Sequence, residues 1–529
     1  MSRKLARPAL FFLHNSSVKS CLPCELKSLL TVRPPPSRST RSSSLLPFDL
    51  AGMLRSRTAG LPMFLSRSSG SSGSGREMST LARRLHVYTR VPSPSLATGT
   101  RVFSATARAP EAEKQLGEFA FMLEPKRVLT ERSVGIWLVI SGALVFGIVV
   151  IGGLTRLTES GLSITEWKPV TGMIPPLSTS DWETEFEKYK QSPEYKLLNS
   201  NMTLSEFKFI FFMEWSHRLW GRAIGLFLVI PGAYFIFRGR TSARVTRRIL
   251  GIAGLVGFQG FIGWWMVKSG LSDHFLDEGV DGKYKDNHPR VSQYRLAAHL
   301  GLAFIVYLSM LWTGLEVLKE ARFAKDPKFA VETIAQLRNP RLRFYKFAAV
   351  ALLGLVFTTA MSGAFVAGLD AGLIYNEFPF MGEGLIPPKA DLFTTFYTRK
   401  ADDSDLIWRN MLENPVTVQL THRIFATTSF TAIVLFHIYS TKLNKANLLP
   451  RAVFRASHGV IGLVALQVTL GITTLLYLVP VPLAAAHQAG SLALLTEVLV
   501  LCMRLRRPRA TIATLLRSAS SATAGKKRL

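Results

Sequence analysis

Apolar residues along this chain gather into eight runs, near residues 134–154, 214–236, 249–268, 295–314, 345–368, 418–440, 457–479 and 483–503. Each is close to the ~20 residues that a helix needs to cross the hydrocarbon core of a bilayer. Lipid offers the backbone no hydrogen-bond partners, so such segments must close their own bonds. The pattern therefore predicts an all-α polytopic membrane protein with eight transmembrane helices. The second, fourth, sixth and eighth runs open on polar or ionisable residues, so hydropathy says little about where those helices start.

The connections sort by charge. Phe237 to Arg248 carries five Arg and no acid, Glu316 to Lys346 eight Lys/Arg and four acids, and Thr441 to Arg455 four Lys/Arg and no acid. The stretch from Ser269 to Val291 instead holds Asp273, Asp277, Glu278, Asp281 and Asp286. Basic loops stay on the side from which insertion begins, which places both termini there and the long loops 155–213 and 369–417 on the far side.

The first four runs and the last four read as copies. Glu159-Ser160-Gly161-Leu162 matches Asp370-Ala371-Gly372-Leu373 at an offset of 211, and Pro175-Pro176 recurs as Pro387-Pro388. His217-Arg218 matches His422-Arg423, and Ala297-Ala298-His299 matches Ala485-Ala486-His487. Gly254, Gln259 and Gly263 correspond to Gly462, Gln467 and Gly471 at an offset of 208. An even number of spans per copy makes these parallel repeats. The expected architecture is two four-helix bundles, residues 134–315 and 345–503, joined by a linker over 316–344.

Four of the ten histidines recur between copies: His217, His299, His422 and His487. By the topology above, all four lie at similar depth near the ends of spans that descend from the far side. Two imidazoles from facing helices of a bundle suit the two axial positions of a haem iron. Zinc fits less well, because no cysteine or further carboxylate recurs beside each pair. The copies differ at one charged position. Glu214 precedes His217 by three residues and shares its helix face, where the second copy has Gln419. A carboxylate at membrane depth is costly without a task or partner, which marks the first copy as the reactive one. The alternative is that Glu214 simply pairs with Arg218 four residues on. Arg218 and Arg423 are candidates to bind propionates by charge-assisted hydrogen bonds. Gly221, Gly254, Gly263, Gly301 and Gly363 allow close approach of helices or of a flat ring. His437 and His458 fall at the opposite end and are expected to be interfacial.

Composition changes this picture only at the chain ends. The 529 residues carry 64 Lys+Arg against 35 Asp+Glu, a net +29 that invites thoughts of nucleic acid. Yet 48% of residues are hydrophobic and 19% charged, below the roughly 25% usual for soluble chains. Residues 1–110 hold 17 Lys/Arg and three acids, and Met503 to Leu529 holds eight Lys/Arg and no acid. The body between them thus keeps only +7, and no nucleic-acid partner is expected. The Arg- and Ser-rich, acid-poor stretch 1–103 is expected to be a mitochondrial transit peptide, with Arg101-Val102-Phe103-Ser104 resembling a processing site. Residues 104–133 then form an N-terminal segment on the matrix side and 504–529 a basic matrix tail. The cysteines, Cys21, Cys24 and Cys502, leave the body without a thiolate metal site.

Taken together, Gly153-Leu154-Thr155-Arg156-Leu157-Thr158 with Ser160-Gly161-Leu162-Ser163, Glu214-Trp215-Ser216-His217-Arg218, Ala298-His299-Leu300, Thr421-His422-Arg423 and Ala486-His487-Gln488 resemble haem A synthase in its mitochondrial form, over residues 130 to 505. The resemblance implies an inner-membrane enzyme that oxidises the ring methyl of haem O to the formyl group of haem A, for assembly of cytochrome c oxidase. It implies haem b on His422 and His487, haem O between His217 and His299, and Glu214 as the acid/base or charge-stabilising group. A ferredoxin-type electron partner, haem O synthase and homo-oligomeric assembly are compatible with it. Many bacterial members carry a cysteine pair in the first external loop; residues 155–213 contain none. The competing functions are a bis-His dihaem electron-transfer cytochrome, which gives no reason for Glu214 against Gln419, and a parallel-repeat transporter, which predicts polar groups at the midplane instead of one face.

Overall fold

The structure, a computed structural model, describes residues 129–272 and 288–508. The expected transit peptide and its processing motif, His14, His86 and His274, the acids from Asp273 to Asp286, and the end of the basic tail lie outside the described residues.

Among the described residues the chain forms α1 (Arg132–Leu157), α2 (Thr179–Lys190), α3 (Pro193–Leu197), α4 (Leu204–Phe237), α5 (Ala243–Gly270), α6 (Gln293–Lys325), α7 (Pro327–Leu337), α8 (Arg343–Gly368), α9 (Lys389–Leu392), α10 (Leu406–Glu413), α11 (Pro415–Lys445), α12 (Arg451–Leu476) and α13 (Val481–Leu505). Eight of these, α1, α4, α5, α6, α8, α11, α12 and α13, are long and apolar enough to cross a membrane, as the hydropathy pattern predicts.

Their polar ends are set by caps, which hydropathy does not register. α4 starts at Leu204, well before the apolar run near 214, because Thr203 and Glu206 form a reciprocal capping box that satisfies two of the helix's free N–H groups. A cluster of Phe186, Tyr189, Phe207, Ile210 and Phe211 then buries the extended first turns of α4 under α2. α11 starts at Pro415, with the Asn414 side chain accepting from Val416 N. At the other end of the fourth span, α6 continues to Lys325 and α7 spans 327–337, so the linker expected over 316–344 is largely helical.

In the first half α1 packs against α4 and α6, and α5 packs against α4 and α6; in the second, α8 packs against α11 and α13, and α12 against the same two. Each set of four closes on itself. α1 against α13 and α6 against α8 join the sets, and one apolar core runs through both, including Leu138, Phe304, Met310, Tyr345, Leu492 and Val498. Half of the apolar stretch of α13 is buried and 44% of that of α1, against 11% for α5, which puts α1 and α13 at the centre and α5 outside.

Polar ties show which loops share a face. Glu316 near the end of α6 pairs with Arg248 at the start of α5 and with Arg506 after α13. Lys319 donates to the carbonyls of Met503, Arg504 and Arg506. On the opposite face, Tyr294 at the start of α6 donates to Glu413 of the loop 369–414, at 2.9 Å.

Candidate functional site

The four repeated histidines each lie against a glycine of a neighbouring helix. A Cβ placed on Gly152 of α1 would come within 2.8 Å of His217 Cε1, and on Gly263 of α5 within 2.9 Å of His299 Cε1. The second copy repeats both contacts: Gly363 of α8 against His422 at 3.2 Å and Gly471 of α12 against His487 at 2.9 Å. A side chain at any of these positions would push the ring away, so glycine is required there by space, not by backbone freedom. Within the first bundle the rings of His217 and His299 meet edge-on, with centroids 6.5 Å apart and planes inclined at 68°. Of the other glycines singled out from the sequence, Gly301 packs on Met361, Gly221 reaches only Ile148, and Gly254 faces open space.

Three of the four rings are tethered at Nδ1. Gln259 Nε2 sits 3.1 Å from His299 Nδ1 and donates to the His299 carbonyl; Gln467 Nε2 does the same for His487 at 3.0 Å. Both glutamines leave Oε1 buried without a partner. Ser362 Oγ lies 2.7 Å from His422 Nδ1. The fourth, His217 Nδ1, is buried with no partner. No Nε2 of the four is hydrogen-bonded among the described residues, so that nitrogen is the one each ring leaves open.

The loops above the rings repeat as well. Glu159 and Asp370, equivalent by the 211 offset, both adopt positive φ, at 50° and 52°. Arg218 donates to the carbonyls of Ile164 and Glu166, and Arg423 to those of Tyr375 and Glu377, the same two loop positions. Both arginines thus clamp main chain one residue past a histidine, and Arg423 Nε is left without a partner.

Glu214 is 3% exposed and fully engaged. Its Oε2 accepts from Ser163 Oγ at 2.7 Å and Ile164 N at 2.8 Å, and its Oε1 accepts from Arg218 Nη2 at 2.6 Å. The ion pair weighed as an alternative is therefore present, and Glu214 also anchors the loop. Gln419 does the second task by other means, donating to the carbonyls of Ala371 and Tyr375.

Several contributors were not singled out from the sequence. Ser362 is visible there only once Gly363 is aligned with Gly152, which sets it against Ile151. Arg222, beyond Arg218, donates to the carbonyls of Lys168 and Pro169. Gln488, next to His487, donates to Val149 O of α1 and lies against Gly153, linking the second pair to the helix that supports His217. Glu194 is buried beside Tyr189 in the first loop, with no sequence pattern to announce it. His437 and His458 do meet, with centroids 4.8 Å apart, but they pack around Phe454, His437 stacked on it and His458 edge-on, on helix turns far from the four.

Comparison with known proteins matches residues 135–499 to the family described as cytochrome oxidase assembly protein. The chain is 49% identical over 459 residues to "Heme A synthase COX15" of Saccharomyces cerevisiae, covering 86% of this chain and 92% of that protein. It is 49% identical over 379 residues to "Heme A synthase COX15" of Homo sapiens, covering 71% and 83%. It is 50% identical over 390 residues to a "Heme A synthase-mitochondrial ferredoxin fusion protein" of Schizosaccharomyces pombe, covering 73% and 62%.

Proposed function

The chain belongs to the cytochrome oxidase assembly protein family, and on that premise we propose that it is a haem A synthase, a membrane oxidoreductase that turns the ring methyl of haem O into the formyl group of haem A. The observation that carries this is the doubled histidine pair. Two imidazole rings with centres roughly 6 to 6.5 Å apart leave room between them for one metal ion bonded at about 2 Å to a nitrogen of each. His217 and His299 stand at 6.5 Å, with both Nε2 atoms free.

The chain's own residues fit that group. A histidine that ligates through Nε2 carries its proton on Nδ1 and must donate it. Ser362 Oγ is placed to accept from His422. Gln259 and Gln467 back the other ring of each pair in the same way in both copies, each amide also donating to that histidine's own carbonyl. His422 and His487 then hold a resident haem b, and His217 and His299 flank haem O. Bound haem supplies the redox chemistry. Glu214, one helical turn from His217, would hold its carboxylate on the substrate side of the site, where it could stabilise positive charge, and Arg218 with Ser163 stops it from swinging away. Arg218 and Arg423, nearest the histidines, would meet the propionates. A ferredoxin-type protein would exchange electrons, as the fused relative implies. The protein is a multi-pass membrane protein of the mitochondrion, placed here in the inner membrane with both termini in the matrix.

The test is extraction and chromatography of haem from the purified protein. Haem b together with haem O or A is expected. Haem b alone, with no haem A formed, would support a dihaem cytochrome, and no Soret absorption at all would support a transporter. His422→Ala and His487→Ala should each lose the tightly held haem b.

A further inference from the structure

The two copies differ in the wall behind the first histidine of each pair. In the second copy, His422 Nδ1 meets Ser362 Oγ at 2.7 Å, and the Ser362 hydroxyl donates to the Thr359 carbonyl at 2.7 Å. With its proton committed there, Ser362 Oγ can only accept, so Nδ1 must carry the ring's proton and Nε2 its lone pair. Thr359 is itself tied to Ser429 of α11, Oγ to Oγ at 2.7 Å, which pins α8 to the helix that carries His422.

The first copy replaces this chain at every step. By the offsets that align the repeats, Ser362, Thr359 and Ser429 correspond to Ile151, Ile148 and Ile224. Three hydroxyl residues become three isoleucines, and His217 Nδ1 is left buried with no partner. The other histidine of each pair has the same Gln partner in both copies, so this wall is the difference at the rings' Nδ1 atoms.

We infer that the copies grip haem unequally, and that the Ser362/Ile151 position sets the difference: Ser362 positions His422 as a permanent ligand, whereas the isoleucine wall leaves His217 an exchangeable one. The inference rests on the haem reading above. Hydrogen-bond partners behind a ligating histidine fix its tautomer and orientation and raise its basicity, and losing one typically costs about 10–100-fold in affinity. A ligated His217 carries an N–H with nowhere to donate. A resident cofactor must stay, and a substrate must be released once converted. The chain meets both needs with one pair of residues that touch no haem atom themselves.

The experiment follows haem transfer from the detergent-solubilised full-length protein to excess apomyoglobin. Wild type should release haem in two phases, with His217→Ala abolishing the fast phase and His422→Ala the slow one. Ser362→Ala should speed the slow phase about tenfold or more, and raise the midpoint potential of the haem it serves. Ser362→Thr, which keeps the hydroxyl, should restore both, as a merely space-filling role would not. Ile151→Ser should slow the fast phase. An unchanged slow phase in Ser362→Ala together with an unchanged fast phase in Ile151→Ser, Soret bands intact, would overturn this inference alone. A wild type without any Soret band would overturn it together with the haem reading.

Discussion

Arg156 of α1 and Asp370 just past α8, 214 residues apart, meet across the join between the bundles, with Arg156 Nη2 2.8 Å from both carboxylate oxygens. The pair has no twin: Arg156 corresponds to Ala367, and Asp370 to Glu159 in the first copy's own turn. It therefore joins the copies without belonging to either. The side chains are 21% and 42% exposed, so the pair contributes less than about 1 kcal/mol. Asp370 also holds φ at 52°, which Asn tolerates and Ala does not. Asp370→Asn should lower the melting temperature in detergent only slightly, and Asp370→Ala should cost about 1 kcal/mol more. Equal melting temperatures for the two would show that backbone strain is not what matters there.

The glycines beneath the rings should rank by space. Gly152→Ala, Gly263→Ala and Gly471→Ala put a Cβ within 2.9 Å of an imidazole, whereas Gly363→Ala leaves 3.2 Å. The first three should lose most of the haem of their own pair, and the last should retain a larger share, measured as haem per protein after purification.

Gln419 shows that an amide is compatible with this loop architecture, so Glu214→Gln tests charge more than fold. That variant should keep its haem spectra while haem O accumulates in place of haem A, with at least a tenfold loss of product on the scale of a general acid–base contribution. Haem A at wild-type amounts would remove Glu214 from the chemistry and leave it the loop anchor that its hydrogen bonds make it.

Glu194 provides a pH test away from the membrane. Burial pushes its carboxyl up to about 8; the hydrogen bond from Tyr189 opposes this, and the charges of Glu214 and Glu159 add to it, partly offset by Arg156. The folded protein therefore holds this proton more tightly than the unfolded chain does. The associated stability is complete below about pH 4.5 and is lost as pH rises to about 8. The melting temperature of wild type should fall between pH 5 and 8 by an amount that Glu194→Gln abolishes. Parallel curves for the two proteins would rule out this ionisation as the cause.

Much of the protein could be read from residue order alone, because the bilayer constrains sequence so strongly. A helix that must satisfy its backbone in lipid needs its apolar run, and all eight runs are found as long helices. An internal duplication doubles every signal, so His217 and His422, or Gln259 and Gln467, could be recognised as equivalents with no coordinates. The ends of α4 and α6 escaped because caps and a soluble aromatic cluster set them, and these depend on a few side chains outside the apolar run.

Tertiary structure decided how those side chains spend their hydrogen bonds. In sequence, Glu214 and Arg218 look like either a reactive group with a neighbouring cation or a plain ion pair; in space they are an ion pair that also holds a loop. Ser362 carries no signal until Gly363 is seen under His422, and the missing partner of His217 is an absence that only packing reveals. The apolar runs determined which residues lie on which membrane helix. Which nitrogen meets a hydroxyl and which is buried without a partner depended on contacts between helices distant in the chain, which residue order does not specify.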